Sequence, residues 1–258
     1  MNPVHGLALH IRESYEGMYH DTPSLQGKGL SRIYGQGAAA VRALRDVTLD
    51  LWPGQLSVLM GPSGSGKSTL LAVLSGLLRP DSGRVLALGQ DLWQMDERGR
   101  EEFRRRHCGF IFQGFNLLAA LTARQNVEIV LRWTGTHSAR EARRHAAAML
   151  QHLGLAGKEN LRPAQLSGGE QQRVAIAQAL VKSPSLCFAD EPTSALDWTR
   201  GEQIIVLLRA EAADRGATVL VVSHDPRVVA YADQVLRIED GRLSGLRPAK
   251  EALVGVTS

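Results

Sequence analysis

From Val41 onward the apolar positions fall into short runs of strand length, separated by longer stretches with helical spacing. The runs 43–51, 55–60, 108–112, 186–189, 218–222 and 234–239 read as strands. Strands alternating with helices in this way predict an α/β fold around a largely parallel sheet. Leu70, Leu71, Leu74, Leu77 and Leu78 recur at three- and four-residue steps, which predicts a helix with one apolar face that stops at the breaker cluster Arg79-Pro80-Asp81.

Residues 114–165 differ from their surroundings, with helical patterns and little that reads as strand. Two helix starts are visible there. Thr122 with Gln125, and Ser138 with Glu141, fit the capping box, in which a hydroxyl and a side chain three residues on satisfy orphan backbone donors. The region is therefore expected to be a helical insertion in the α/β core. There is no internal repeat and no low-complexity tract.

The 258 residues, 44% of them hydrophobic, are enough for a substantial core. No stretch approaches the roughly 20 apolar residues of a membrane span, so any membrane crossing is expected to fall to another chain. The first residues lack the charged start and apolar centre of a secretory signal, and a cytoplasmic chain is expected. Cys108 and Cys187 suit that compartment as reduced, inert thiols, Cys187 within a run that reads as buried strand. The net charge is +4, and the one dense basic run is Arg104-Arg105-Arg106-His107. It reads as a solvated helix end more readily than as a nucleic-acid or lipid patch, and no nucleic-acid partner is expected.

The sequence Gly61-Pro62-Ser63-Gly64-Ser65-Gly66-Lys67-Ser68-Thr69 matches the phosphate loop G-x-x-x-x-G-K-[ST] and sits between an expected strand and an expected helix. Its glycines let backbone N–H groups turn onto phosphate oxygens, the helix N-terminus adds positive potential, and Lys67 supplies a full charge. Ser68 is placed to ligate Mg²⁺. The run 186–189 ends in Asp190 and Glu191, so both acids should emerge at the carboxyl edge of the sheet, where ligands of such folds bind. Asp190 suits the Mg²⁺ shell, usually through water, and Glu191 is the candidate general base for an attacking water.

Leu166-Ser167-Gly168-Gly169-Glu170-Gln171 precedes another helical pattern, with Ser167 and Glu170 forming a third capping box. Two glycines there leave the backbone amides bare, which makes a second anion site. One chain with one nucleotide loop has no use for two such sites on the same nucleotide. The second is expected to cap a nucleotide held by another subunit. His224 and Gln113 each follow a strand run, so both should reach the same carboxyl edge; His224 could contact the γ-phosphate, and Gln113 could ligate Mg²⁺ or orient water.

With these residues the chain closely resembles the ABC-transporter ATPase family across roughly residues 28–245. The 166–171 stretch resembles the signature that separates this family from other phosphate-loop ATPases. Gln113 resembles the Q-loop residue, Ser194-Ala-Leu-Asp197 the D-loop, His224 the switch histidine, and Tyr34 the aromatic that stacks on adenine. The resemblance implies a RecA-like core with a mostly parallel sheet, an antiparallel β subdomain, and residues 114–165 as the helical subdomain. Residues 1–27 would be an N-terminal extension and 246–258 a tail. It also implies ATP and Mg²⁺ as ligands and a head-to-tail dimer of the chain sandwiching two ATP molecules. A membrane permease on a separate chain would dock at 114–127 on the inner face of the cell membrane, and a periplasmic adaptor is a further partner.

Phe110-Ile-Phe-Gln-Gly-Phe-Asn-Leu-Leu and Ser223-His-Asp-Pro-Arg look most like the branch serving macrolide export, lipoprotein release and heterocyst glycolipid export. Thr193-Ser-Ala-Leu-Asp197 is closer to amino-acid importers, and Gln178 replaces an arginine usual after the signature. Export is the leading reading. The alternatives are an importer ATPase for a small solute such as an amino acid, or a non-transporting ABC ATPase regulating cell-envelope enzymes. A single phosphate loop and a short span to the signature argue against the DNA-repair and translation ATPases of the superfamily.

Overall fold

The computed structural model describes residues 22–194 and 196–248. The greater part of the expected N-terminal extension, at 1–21, and the tail from 249 lie outside the described residues. In chain order the elements begin with β1 (Leu25–Tyr34), β2 (Val41–Leu51), β3 (Leu56–Met60), α1 (Lys67–Leu74), β4 (Ser82–Ala87) and β5 (Gln90–Asp91). They continue with α2 (Glu97–His107), β6 (Cys108–Ile111), α3 (Ala123–Thr134), α4 (Ala139–His152) and α5 (Gly168–Leu180). The last part holds β7 (Leu186–Asp190), α6 (Trp198–Arg215), β8 (Thr218–Val222), a 3-10 turn (Pro226–Tyr231), β9 (Gln234–Glu239) and β10 (Arg242–Pro248).

Two sheets organise the chain. One has the order β10-β9-β3-β8-β7-β6, parallel from β9 to β6, with β10 antiparallel at its edge. Its central strands are buried on both faces, as parallel strands covered by helices must be. Successive residues go to different cores. Cys187, Ala189, Val219 and Val221 pack with α5 and α6, whereas Leu186, Phe188, Leu220 and Val222 pack with α1 and the second sheet. That second sheet, β2-β1-β4-β5, is antiparallel.

Cys108 belongs to the second of these cores and Cys187 to the first. The thiols lie on opposite faces of the sheet and both are free. Burial pushes each of them up to about 12, so they are inert as expected.

The expected parallel strands are present, two of them at the expected bounds. β1 begins at Leu25, three residues ahead of the expected domain start at 28, and β10 runs to Pro248. β1 escaped the periodicity because register shifts interrupt its pairing with β2 between Gly27 and Leu30 and again near Ile33. The leucine helix is corrected. It ends at Leu74, where Gly76 takes a φ of 71° and the amides of Gly76 and Leu77 bond back to Val73 O (3.2 Å) and Ala72 O (2.9 Å). This left-handed cap stops the helix ahead of Pro80, leaving Leu77 exposed.

The helical insertion is as expected, and α3, α4 and α5 pack together as an arm. All three capping boxes form, with Gln125 N to Thr122 Oγ1 at 3.3 Å, Glu141 N to Ser138 Oγ at 3.3 Å and Glu170 N to Ser167 Oγ at 3.4 Å. Fully buried Asn126 pins the segment that leads into α3. Its amide donates to Leu118 O, Leu121 O and Thr122 O, and its carbonyl accepts from Leu118 N at 2.7 Å.

Candidate functional site

The sheet order decides where the chemistry can meet. β3, β8, β7 and β6 are neighbours and parallel, so their carboxyl ends share one edge. The 61–66 loop leaves β3 there, His224 follows β8, Asp190 and Glu191 close β7, and Gln113 follows β6 on an exposed turn. Four separate stretches of sequence are thereby set side by side at a sheet edge of the kind ligands occupy.

In the loop the glycines answer to particular neighbours. A Cβ on Gly61 would lie 2.1 Å from the carbonyl oxygen of Ile238, and one on Gly66, whose φ is 105°, would lie 2.3 Å from that of Ala43. Gly64, at φ 77°, meets open space and serves conformation alone. Ser65 is buried, and its carbonyl accepts from Gly241 N at 3.0 Å; Gly241 O in turn accepts from Arg45 N at 2.8 Å. The loop is thus braced by the β9–β10 turn and by β2.

Pro62, Ser63, Gly64 and Ser68 are exposed, and Thr69 is half-buried. Lys67 Nζ donates to Gly61 O at 2.9 Å and to Pro62 O at 2.7 Å, which holds the ammonium over the loop. The first helical bond of α1 runs from Leu70 N to Gly66 O at 2.8 Å, so the amides before it belong to the N-terminal set that favours anions.

At the neighbouring strand ends, Glu191 is a non-glycine residue at φ 51°. The sheet holds it there, since its amide donates to Val222 O at 3.0 Å and its carbonyl accepts from Ser194 N (3.2 Å) and Ser194 Oγ (3.0 Å). Such a left-handed backbone at a strand tip is the kind of strain that functional sites keep. The Glu191 side chain is 13% exposed and lies against the open imidazole of His224, with Nδ1 2.9 Å from Oε1.

Tyr34, the last residue of β1, is exposed at 42% with Arg32 5.2 Å from its ring centre. It pairs with Val41, two residues before Ala43, whose carbonyl touches Gly66. The ring thus stands exposed at the end of β1 in the antiparallel sheet, and its strand partner β2 carries the Ala43 carbonyl that meets Gly66.

The Ser167 terminus belongs to the helical arm and adjoins α6 instead of the sheet edge. Gly168 opens onto free space, whereas a Cβ on Gly169 would lie 3.0 Å from Leu196. Glu170 accepts from Ser167 N at 2.8 Å and is ion-paired to Lys158. The Lys158 ammonium, with help from Ser167, lowers the Glu170 carboxyl to about 2. Lys158 escaped the sequence reading because it lies outside the capping-box spacing. Of the expected D-loop, Ala195 lies outside the described residues; Asp197 caps α6, accepting from Arg200 N at 3.1 Å.

The basic run is committed to local partners. Arg104 donates to Gly76 O at 2.7 Å, Arg105 to Glu102 and Trp133 O, and Arg106 pairs with Glu102. Arg104 and Arg105 also line a groove of about 390 Å³ between the sheet and the arm, together with Phe110, Phe112, Phe115, Trp133 and Lys182.

A family model described as "ABC transporter" matches residues 44–194. The macrolide export ATP-binding/permease protein MacB of Escherichia coli is 43% identical over 230 residues, which cover 89% of this chain and 35% of that protein. MacB of Shigella dysenteriae is likewise 43% identical, over 228 residues. The chain spans about a third of the length of these curated relatives. The ATP-binding cassette MJ0796, solved as a dimer in a post-hydrolysis state with ADP and Pi, superimposes with a TM-score of 0.83. It is 38% identical, and the match covers 87% of this chain and 98% of that one. Clostridium perfringens cbiO1, part of the ABC transporter complex cbiONQ, superimposes at 0.79 with 26% identity, covering 91% and 92%.

Proposed function

The chain belongs to the ABC transporter family and is an ATP hydrolase of the ABC type, and from that premise we propose which residues perform the hydrolysis and what it drives. ATP lies with its phosphates on the 61–69 loop and its adenine on Tyr34. Lys67 and the first amides of α1 hold the outer phosphates. Ser68, Gln113 and Asp190 offer a hydroxyl, an amide carbonyl and a carboxylate at adjacent strand ends, the hard oxygen donors that suit Mg²⁺. When bound, the ion neutralises charge on the phosphates.

Glu191 takes the proton of the attacking water. An ionised carboxylate can only accept a hydrogen bond, so His224 donates to Glu191 through Nδ1; its other nitrogen can donate to a γ-phosphate oxygen only when both ring nitrogens carry a proton. The observation that carries this reading is the Glu191–His224 contact at the strand edge that also bears the phosphate loop.

The Ser167 terminus, with Gly168 and Gly169, caps a nucleotide held by a second copy of the chain, since the first nucleotide already has its helix. Dimerisation then tracks ATP. No helix among the described residues is long and apolar enough to cross a membrane, so translocation is assigned to a permease seated in the groove at Phe110, Phe112, Phe115 and Trp133. Similarity to MacB supports export, with the chain at the cytoplasmic face of the membrane.

The test is Glu191→Gln with ATP and Mg²⁺. The variant should bind ATP, lose hydrolysis and elute as a dimer, reverting to a monomer with ADP. Turnover at the wild-type rate would overturn the role of Glu191. An ATP-bound monomer at high protein concentration would overturn the shared site.

A further inference from the structure

The His224 side chain is 71% exposed, so its aim at Glu191 depends on how its backbone is held. On one side the backbone is fixed by Ser223, which is buried and bonded to Leu59 O at 3.2 Å. On the other side stands Asp225, whose amide donates to Ser223 Oγ at 3.1 Å. The Asp225 carboxylate is gripped by Arg227 from three directions. The Arg227 amide and Nε reach Oδ1 at 2.9 Å each, and Nη2 reaches Oδ2 at 2.6 Å.

The guanidinium making that grip lies 4.3 Å from the ring centre of Trp198, the first residue of α6. Trp198 also faces Tyr231, with ring centres 6.5 Å apart, and Tyr231 donates to Glu202. Both contacts tie the 3-10 turn to the first turns of α6. The start of α6 is in turn reached from Glu191 through the turn that Ser194 closes on the Glu191 carbonyl. A closed circuit results, running from Glu191 through the Ser194 turn and the bond from Leu196 N to Thr193 O (3.0 Å) to the start of α6 at Trp198, across to Arg227, through Asp225 to His224, and back to Glu191 over 2.9 Å.

We propose that Trp198 is a positioning residue for hydrolysis: by stacking on Arg227 it holds the grip on Asp225 and thereby aims His224 at Glu191. An arginine loses much rotamer freedom when fixed, and a tryptophan face is the best aromatic partner for holding it. The inference rests on the reading of Glu191 and His224 given above. It adds that the loop ahead of α6 and the loop after β8 move as one body, so a contact a partner makes near Asp197 is transmitted to His224.

The experiment is steady-state ATP hydrolysis by the full chain and by Trp198→Ala, Trp198→Phe, Arg227→Met and the Trp198→Ala/Arg227→Met double variant, with melting temperatures measured alongside. Neither side chain is placed on the nucleotide. Trp198→Ala and Arg227→Met should therefore each lower kcat about tenfold with KM for ATP unchanged, as a misaimed group does. Trp198→Phe should stay near wild type, and the double variant should be no slower than the worse single. Wild-type kcat in folded Arg227→Met, a raised KM at constant kcat, or additive losses in the double variant would overturn the proposal. Should Trp198→Ala not fold, Arg227→Met on its exposed site and Trp198→Phe carry the test. His224→Ala in the same assay separates the levels. If it is slow while the Trp198 and Arg227 variants are normal, only this inference falls; if it turns over normally, the role of His224 falls and this inference with it.

Discussion

His224 Nδ1 lies 2.9 Å from Glu191 Oε1, although 33 residues of chain separate them and their side chains are 71% and 13% exposed. The half that needs shielding, the carboxylate, is enclosed, and the half that must meet a phosphate is open. That division of exposure gives the pair different tasks. Glu191 is kept in one place by a strained backbone with three hydrogen bonds, and His224 bridges from it to whatever stands on the phosphate loop.

His224→Ala is accordingly expected to lower kcat by about a hundredfold, within the range a positioned acid–base group contributes. Equilibrium ATP binding should be unchanged, because the loop and Tyr34 remain. Fluorescent-nucleotide titration beside a phosphate-release assay checks both halves. A loss of affinity matching the loss of rate would remove His224 from the chemical step.

Gly66→Ala tests the loop's bracing. Its φ of 105° and the Ala43 carbonyl 2.3 Å from a Cβ leave a side chain no strain-free position. The substitution should cost about 2 kcal/mol or more in stability, the scale of a forced left-handed backbone, and should abolish nucleotide binding. Gly64→Ala, at a φ of 77° with open space around the Cβ, should be milder in both respects. Equal effects in chemical denaturation and binding would show that backbone conformation alone matters, without the Ala43 contact.

Lys158 and Glu170 give a pH-dependent expectation. Glu170 is lowered from its ordinary 4.5 to about 2, first by Lys158 and then by Ser167. A carboxylate depressed in the folded state contributes stability that is fully present above its unfolded pKa and lost as pH falls through the folded one. The contribution should therefore fade between about pH 4.5 and 2. In Lys158→Met the Glu170 pKa should rise, and the melting temperature should depend less steeply on pH across that window. Superimposable pH profiles for the two proteins would show that the ion pair adds nothing.

Much of the site was legible because its pieces are local. Each of the three capping boxes joins residues three apart, and the Gly61–Thr69 loop and the Asp190-Glu191 strand end carry their residue types at a fixed spacing, which the sequence records directly. The parallel strands were legible for a similar reason, since burial on both faces makes each a continuous apolar run. Even a local signal was overridden once: the leucines at 77 and 78 kept helical spacing past a helix that Gly76 had already ended.

What the tertiary structure alone decided are the relations between distant segments. That Gly61 and Gly66 must be glycine follows from the carbonyls of Ile238 and Ala43, which no spacing inside the loop reveals. β1 joined the sheet through a pairing whose register shifts break any period of two. Lys158 on Glu170, Arg227 on Trp198 and His224 on Glu191 are pairs that chain folding brings together; Glu170, Glu191 and His224 stand out singly in the sequence, but none of the three pairings shows there. The sequence by itself determined which groups could do chemistry on a phosphate; the order of strands, by making β3, β8, β7 and β6 neighbours, decided that they would do it together.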